Sequence, residues 1–386
     1  MGLYYDLETF AFPKSGEELC GDTVRVARSP ERIIAILSDG LGSGVQANVS
    51  STLTAEIVSR LLIADVPLKE VLPTIAATLP VQKKQNAAYA TFLIIDIDRY
   101  RKIASISNFG NPPVLVFKLG RLSASETKTE IIDQKEIQQQ QITLEDGDWI
   151  VAMSDGIPGA NADVYFNDGW ALTSISKHIE QSLTAKHITA KEICRSLADQ
   201  TLKSYGMNPK DDASLIVIQV RNGREATVLT GPPSNVAMDD ACVERFLKTP
   251  GRKIVCGGTT GNIVALYLGS KIRQIPDSEQ DDLPGLSRID TIDLVTEGIL
   301  TLSRTTEYLE QSKGDRNALP VSRNAAVLLS EELLLADTIT FMVGLADNSA
   351  YTKLKMPSSV LLRRSIIRQL VAILSSFGKE VNVEYF

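Results

Sequence analysis

The sequence predicts an α+β fold: antiparallel sheets flanked by helices over residues 1–222, then a second, smaller α/β domain over 225–386. Three observations carry that expectation. Short apolar or alternating runs come in consecutive pairs separated by turns, the order of hairpins and not of strand–helix–strand units. Helical periodicities are bunched together between those strand groups. A turn-rich junction, Arg221-Asn-Gly-Arg-Glu225 followed by Thr230-Gly-Pro-Pro-Ser-Asn-Val236, separates two stretches that are each long enough for a core of their own.

Along the chain, residues 22–28 alternate as a strand and 32–37 form a short buried run, with Ser29-Pro-Glu31 turning between them. After Gly40-Leu-Gly-Ser-Gly44 a helix begins. Val45, Val49, Leu53, Ile57 and Leu61 recur every fourth residue and define its expected apolar face. A second helix is expected over about 68–79. Residues 89–98 and 102–107 read as a hairpin around Asp98-Arg-Tyr-Arg101. Residues 114–119, 149–153 and 215–220 supply further strands, with a helix near 190–205 before the last. In the second domain, 252–263 reads as strand, glycine turn and helix start, and 292–298 and 338–344 as buried strands. Residues 359–377 read as a helix closed by Gly378, and Val381, Val383 and Tyr385 alternate in a final strand.

Composition narrows the function classes. The 386 residues are 44% hydrophobic, ample for two cores. A net charge of −7 without a basic stripe argues against nucleic acid and against an anionic membrane surface as partners. The densest basic cluster, Arg363-Arg364 with Arg368, has the spacing of a solvated or interface helix face. No apolar run approaches the roughly 20 residues a membrane span needs. Met1-Gly-Leu-Tyr-Tyr-Asp6 lacks the basic and apolar regions of a secretory signal. Cys20, Cys194, Cys242 and Cys256 form no C-x-x-C pair and read as free thiols of a cytoplasmic protein. The two histidines, His178 and His187, lie in a polar helical stretch, which disfavours a histidine triad or a zinc site.

What remains is acidic. Asp22, Asp39, Asp155 and the pair Asp211/Asp212 each stand where a strand meets a glycine or another acid. The contexts recur: Ile36-Leu-Ser-Asp-Gly40, Ala152-Met-Ser-Asp-Gly156, and Asp211-Asp-Ala-Ser214 opening a buried strand. A carboxylate ending a buried strand is costly unless something pairs with it, and no basic residue lies close in sequence at either Ser-Asp-Gly turn. Such carboxylates converging from distant segments make an oxygen site for a hard divalent cation. Gly40-x-Gly42-x-Gly44 between strand and helix also matches part of a dinucleotide turn. Asp39 would then face a pyrophosphate without a counter-ion, and no acid ends a second strand–helix–strand unit at the right distance.

Over residues 20–222 the chain resembles the metal-dependent PPM-type protein serine/threonine phosphatases, in the bacterial branch typified by the sporulation stage II protein E phosphatase. Six motifs in the family's order carry the resemblance: Cys20-Gly-Asp-Thr23, Ser38-Asp-Gly-Leu-Gly-Ser-Gly44, Ala90-Thr-Phe92, Ser107-Asn-Phe-Gly-Asn-Pro-Pro-Val-Leu115, Gly147-Asp-Trp-Ile-Val-Ala-Met-Ser-Asp-Gly156, and Asp211-Asp-Ala-Ser214. It implies an antiparallel β-sandwich flanked by helices, with two divalent cations, Mn or Mg, at one end. It implies that Asp39 bridges both ions, that the Gly40 carbonyl binds one, and that Asp155 with one of Asp211/Asp212 completes the other's shell. In the family the first acid of that pair is the ligand, so Asp211 is favoured while Asp212 stays open, and Asp22 sits near the metals. Leu41 departs from the pattern, standing where eukaryotic members carry a histidine. The implied activity is hydrolysis of phosphoserine or phosphothreonine by water activated between the cations. The implied substrate is a bacterial signalling phosphoprotein such as an anti-sigma antagonist or stressosome-type domain. The competing reading is a phosphatase fold decayed into a binding scaffold, and the intact acids count against it.

For 225–386 the expectation is a regulatory or partner-binding role, including a homodimer through the 359–377 helix. Gly257-Gly-Thr-Thr-Gly261 reads equally as an anion site or a tight turn. Three stretches, 252–258, 293–298 and 336–343, echo the first domain's motifs in order, more by chance than by kinship because their spacing is much shorter.

Overall fold

Side chains on successive strand positions point to opposite faces, and that rule lays out residues 3–222 as helices, sheet, sheet and helices. The computed structural model describes residues 2–29, 31–78, 90–132, 135–160, 172–185, 188–276, 283–346 and 359–386. The chain divides into two units: Leu3–Asn222, and Gly223–Phe386 with Met1–Gly2.

In the first unit the strands are β1 (Leu3–Phe12), β2 (Asp22–Arg28), β3 (Arg32–Asp39), β4 (Thr91–Asp98), β5 (Ile103–Phe109), β6 (Leu115–Lys118), β7 (Arg121–Leu122), β8 (Lys128–Ile132), β9 (Lys135–Thr143), β10 (Trp149–Met153) and β11 (Ala213–Asn222). The helices are α1 (Gly44–Ile63), α2 (Leu68–Thr78), α3 (Leu172–Ser182) and α4 (Ala190–Ser204). One sheet runs β1-β11-β10-β6-β7 and the other β2-β3-β4-β5-β9-β8, with every pairing antiparallel. The fold class is the one expected. Alternation decides what each strand buries. Ile33, Ala35 and Leu37 of β3 meet Ile216, Ile218 and Val220 of β11 in the core between the sheets. Ile34 and Ile36 turn outward to Val58, Leu62 and Val71 of α1 and α2. Leu215 and Val217 turn outward to Ile175, Ile179, Ile193 and Leu197 of α3 and α4.

One strand lies where the sequence patterns indicate no element, and one expectation about local structure is corrected. Residues 3–12 form a full strand, in register with β11 from Leu3–Asn222 to Phe12–Ala213. Tyr5 and Phe12 alone are buried along it, so its alternation is faint. The face of α1 is also not the one its periodicity indicates. Gly44, Ala47, Ser51, Thr54, Ala55, Val58, Ser59 and Leu62 are the buried positions, while Val45, Val49 and Leu53 are 62%, 51% and 44% exposed. Closeness explains the choice. A Cβ on Gly40 would collide with the Ala47 carbonyl, Thr23 and Ser51 hydroxyls lie 2.8 Å apart, and Asn48 Nδ2 donates to the Cys20 carbonyl at 2.8 Å. Over the first three turns small residues face the sheet because the helix passes it too tightly there for valine or leucine, and only beyond them do Val58 and Leu62 fit. Ile57 and Leu61, farther along, do pack partly against that core.

The second unit contains β12 (Glu225–Thr230), α5 (Asp239–Lys248), β13 (Arg252–Cys256), α6 (Gly258–Tyr267), β14 (Arg273–Gln274), β15 (Ser287–Arg288), β16 (Leu294–Thr296), α7 (Ile299–Ser312), α8 (Ala325–Leu335), β17 (Thr338–Val343), α9 (Ser359–Ser376) and β18 (Glu380–Tyr385). The sheet order is β14-β15-β16-β13-β12-β17-β18, parallel from β16 through β18. Taken in chain order, the five parallel strands stand third, second, first, fourth, fifth, the order of a doubly wound sheet. One face is covered by α7, α8 and α9 through Leu302, Leu329, Ile367 and Leu370. The other is covered by α5 and α6 through Phe246 and Val264. The stretches that echo the first domain fall on the parallel strands β13, β16 and β17, so they share no architecture with it.

Candidate metal centre

Register brings the acids together. Asp22 opens β2 and pairs with Asp39 at the end of β3, and Asp39 pairs on its other side with Thr91 at the start of β4. Asp155 and Asp211/Asp212 come from the opposite sheet, after β10 and before β11, which are hydrogen-bonded neighbours. The chain must approach itself closely to do this. A Cβ on Gly156 would collide with the Asp212 carbonyl, and Tyr205 Oη fixes the Gly156 carbonyl at 2.8 Å. Behind Thr91, the buried Asn108 donates to the Asn111 and Pro112 carbonyls at 3.0 Å each and accepts from the Asn111 N–H at 3.1 Å. The Asn-Pro-Pro motif therefore shapes the turn that backs the central strand.

The five acids differ in depth. Asp22 and Asp212 are 4% and 3% exposed, Asp39 is half-buried, and Asp155 and Asp211 are open to solvent. Asp22 Oδ2 accepts from Ser214 Oγ at 2.8 Å, while its Oδ1 is buried with no partner. Asp212 Oδ1 accepts from the Lys14 N–H at 3.0 Å, and its Oδ2 is likewise buried with no partner. The Ser214 hydroxyl on Asp22 ties the two sheets' contributions together, and within its own sheet Ser214 N–H donates to Ser154 Oγ at 2.9 Å. Sequence reasoning missed both serines as supports, although each belongs to a motif that signals the site.

Like charges crowd the centre. Burial, helped by repulsion from Asp22, Asp155 and Asp211, pushes the Asp39 carboxyl up to about 8. Burial also pushes Asp22 up to about 6, against hydrogen bonds from Ser154 and Ser214 and with repulsion from Asp212 and Asp155. Asp211 is raised by burial and by Asp155, with Lys14 offsetting part of the rise. Among the described residues no three His, Cys, Asp or Glu side chains are gathered closely enough to hold an ion directly. The donor set nonetheless fits a hard cation. It is all oxygen, includes two buried carboxylate oxygens without partners, and shows three raised carboxyl groups.

The thiol and the imidazole stand outside this chemistry. Cys20 Sγ donates to the Phe12 carbonyl at 3.3 Å, and burial and Asp22 push its thiol up to about 12, so it stays protonated. His178 Nε2 lies 2.8 Å from Ser196 Oγ, joining α3 to α4. His187 lies outside the described residues.

A sandwich of antiparallel sheets with an acid cluster at one end, sequence motifs included, defines a PPM-type phosphatase unit. The chain belongs to the stage II sporulation protein E family, whose model matches residues 29–221. Stage II sporulation protein E of Bacillus subtilis (strain 168) is 22% identical over 211 residues, 54% of this chain and 24% of that protein. The chain thus spans about a quarter of the length of that curated relative. Among solved structures, the PP2C phosphatase domain with a fragment of the regulatory domain of Bacillus subtilis SpoIIE is 20% identical, with a TM-score of 0.45. That match covers 56% of this chain and 63% of the other. RsbX in complex with magnesium is 21% identical with a TM-score of 0.41, covering 56% of this chain and 95% of that one.

Proposed function

We propose that residues 1–222 hydrolyse phosphoserine or phosphothreonine on a bacterial signalling phosphoprotein, in the cytoplasm, with two Mn or Mg ions. The observation that carries the reading is the pair of buried carboxylate oxygens without partners, Asp22 Oδ1 and Asp212 Oδ2, beside the raised Asp39. Each such group costs about 1–3 kcal/mol or more. A scaffold that had lost catalysis would have no reason to keep them.

Asp39, the Gly40 carbonyl, Asp155 and Asp211 would hold the ions, with the orphaned oxygens of Asp22 and Asp212 reaching them directly or through water. Asp211 is favoured over Asp212 because it is open to solvent and feels Asp155, while Asp212 lies buried against the Lys14 backbone. Bound cations would supply Lewis acidity and lower the pKa of a coordinated water. Ser154 and Ser214 hold Asp22 in place beneath that site, and Gly156 lets the Asp155 turn close onto Asp212. An anti-sigma antagonist or a stressosome-type domain suits the proposed substrate, and residues 225–386 serve regulation or assembly, including a homodimer through α9.

The test is hydrolysis of p-nitrophenyl phosphate with Mn²⁺, Mg²⁺ or EDTA, run on the parent, Asp211→Asn and Asp212→Asn. Metal-dependent turnover that Asp211→Asn removes and Asp212→Asn only weakens is expected. Turnover unaffected by chelator would sink the reading.

A further inference from the structure

The exposed apolar row on α1 has no use in the catalytic unit as described. Val45, Val49 and Leu53 are 62%, 51% and 44% exposed, and Leu41, just before the helix, is 38% exposed. The segment carrying Leu19, itself 44% exposed, lies alongside, held by Asn48 Nδ2 on the Cys20 carbonyl at 2.8 Å and by Ser43 Oγ on Glu17 at 3.1 Å. From Leu41 to Ala55 the sequence carries no charge. The row starts two residues after Asp39, and Leu19 stands three residues before Asp22, so it is continuous with the rim of the acid centre.

We propose that this row docks an amphipathic helix of the phosphoprotein substrate, seating its phosphoserine at the acid centre; the inference rests on the phosphatase reading above. Three features select that occupant. Spacing of four residues makes a straight ridge about 12 Å long, the shape a second helix takes into its groove. Five side chains this exposed offer on the order of 400 Å² of apolar surface, a typical functional patch. That is about half of what each partner of a stable dimer buries, so it suits transient contact with a substrate better than a standing homodimer. The uncharged stretch 41–55 also adds no carboxylate to those of the acid centre, leaving Glu17 beside its first turn as the neighbouring charge.

Two synthetic phosphoserine peptides test it on the full chain with Mn²⁺. One continues into a helix with leucine at every fourth position, and the other has those leucines replaced by serine. The parent should hydrolyse the leucine peptide with a KM about tenfold lower at similar kcat. Val45→Asp/Val49→Asp should erase that difference and leave p-nitrophenyl phosphate turnover unchanged, while Val49→Leu should keep it. Equal KM values for both peptides on the parent would overturn the proposal. So would sedimentation showing a dimer that the double variant dissociates, since the row would then face a second copy. Loss of p-nitrophenyl phosphate turnover in the double variant would also overturn it, placing the row in the catalytic fold. A parent silent on every substrate would instead sink the phosphatase reading itself.

Discussion

Replacing Asp39 by asparagine should stabilise the metal-free protein and abolish its response to divalent cations. The Asp39 carboxyl is pushed up to about 8, by burial first and then by Asp22, Asp155 and Asp211. Its unfolded value is near 3.9. A group whose folded-state pKa is raised binds protons more tightly in the native state, so stability falls as pH rises from about 4 to about 8. Below that window the acid costs nothing, and above it the cost is complete. The ceiling is about 5–6 kcal/mol at pH 8. Asp39 is only half-buried and competes for protons with Asp22, so solvent screening and that competition leave about 2–3 kcal/mol. In a unit of this size that corresponds to roughly 4–10 °C in melting midpoint. Calorimetry in EDTA at pH 5.5 and pH 8 would measure it, with the transition of residues 223–386 as an internal reference. Asp39→Asn should melt higher than the parent at pH 8 and keep only part of that advantage at pH 5.5, which lies inside the window. Mn²⁺ at about a hundred times its Kd should stabilise the parent by about 2.7 kcal/mol and leave the variant unmoved. A variant no more stable than the parent in EDTA at pH 8, or one that Mn²⁺ still stabilises, would refute the argument.

Other perturbations probe separate parts of the structure. Gly156→Ala would drive a methyl group into the Asp212 carbonyl; a loss of about 3 kcal/mol or more is expected, with p-nitrophenyl phosphate turnover lost, as thermal unfolding and a colorimetric assay would show. Cys20→Ser and His178→Ala should keep most turnover, because the thiol stays protonated and the imidazole bonds Ser196; a trapped phosphorylated protein intermediate would contradict this. A chain ending at Asn222 retains both sheets and their cores and should stay soluble with metal-dependent hydrolysis, whereas isolated residues 223–386 should fold and hydrolyse nothing. An insoluble or inactive 1–222 chain would show that the first unit needs the second one.

What could be read from the sequence was whatever left a local mark. Asp39 and Asp155 end buried strands at Ser-Asp-Gly turns, so apolar run, acid and glycine stand side by side in the chain. The hairpin around Asp98 was equally plain, because Asp98 Oδ1 accepts from the Tyr100 and Arg101 N–H groups within the same four residues. Long-range fit was not legible. The four-residue recurrence in α1 measures hydrophobicity, while the sheet selected Ala47, Ser51 and Ala55 for size. The partners of Asp22 were hidden for a related reason: Ser214 lies 192 positions away, and only strand register shows which acid its hydroxyl meets. In β1, pairing with β11 supplies what weak alternation does not. The parallel order of the second unit depends on crossovers, which strand patterns alone do not fix.

The pairing of β1 with β11 also sets a clock for synthesis. Leu3 meets Asn222, and Lys14 meets Asp212, so the first strand emerges from the ribosome long before its partner exists. At about 5–20 residues per second, the roughly 200 intervening residues take on the order of 10–40 s to appear. Throughout that interval Tyr5 and Phe12 lack their burial, and the β2-β3-β4-β5 meander can assemble from neighbouring hairpins without them. The acid centre is completed by the last segment to arrive, since Asp211 and Asp212 immediately precede β11. A nascent chain therefore holds Asp22 and Asp39 in place well before it can assemble the full set, and a chain cut short of residue 211 is a half-built sandwich with an open edge and an incomplete acid centre.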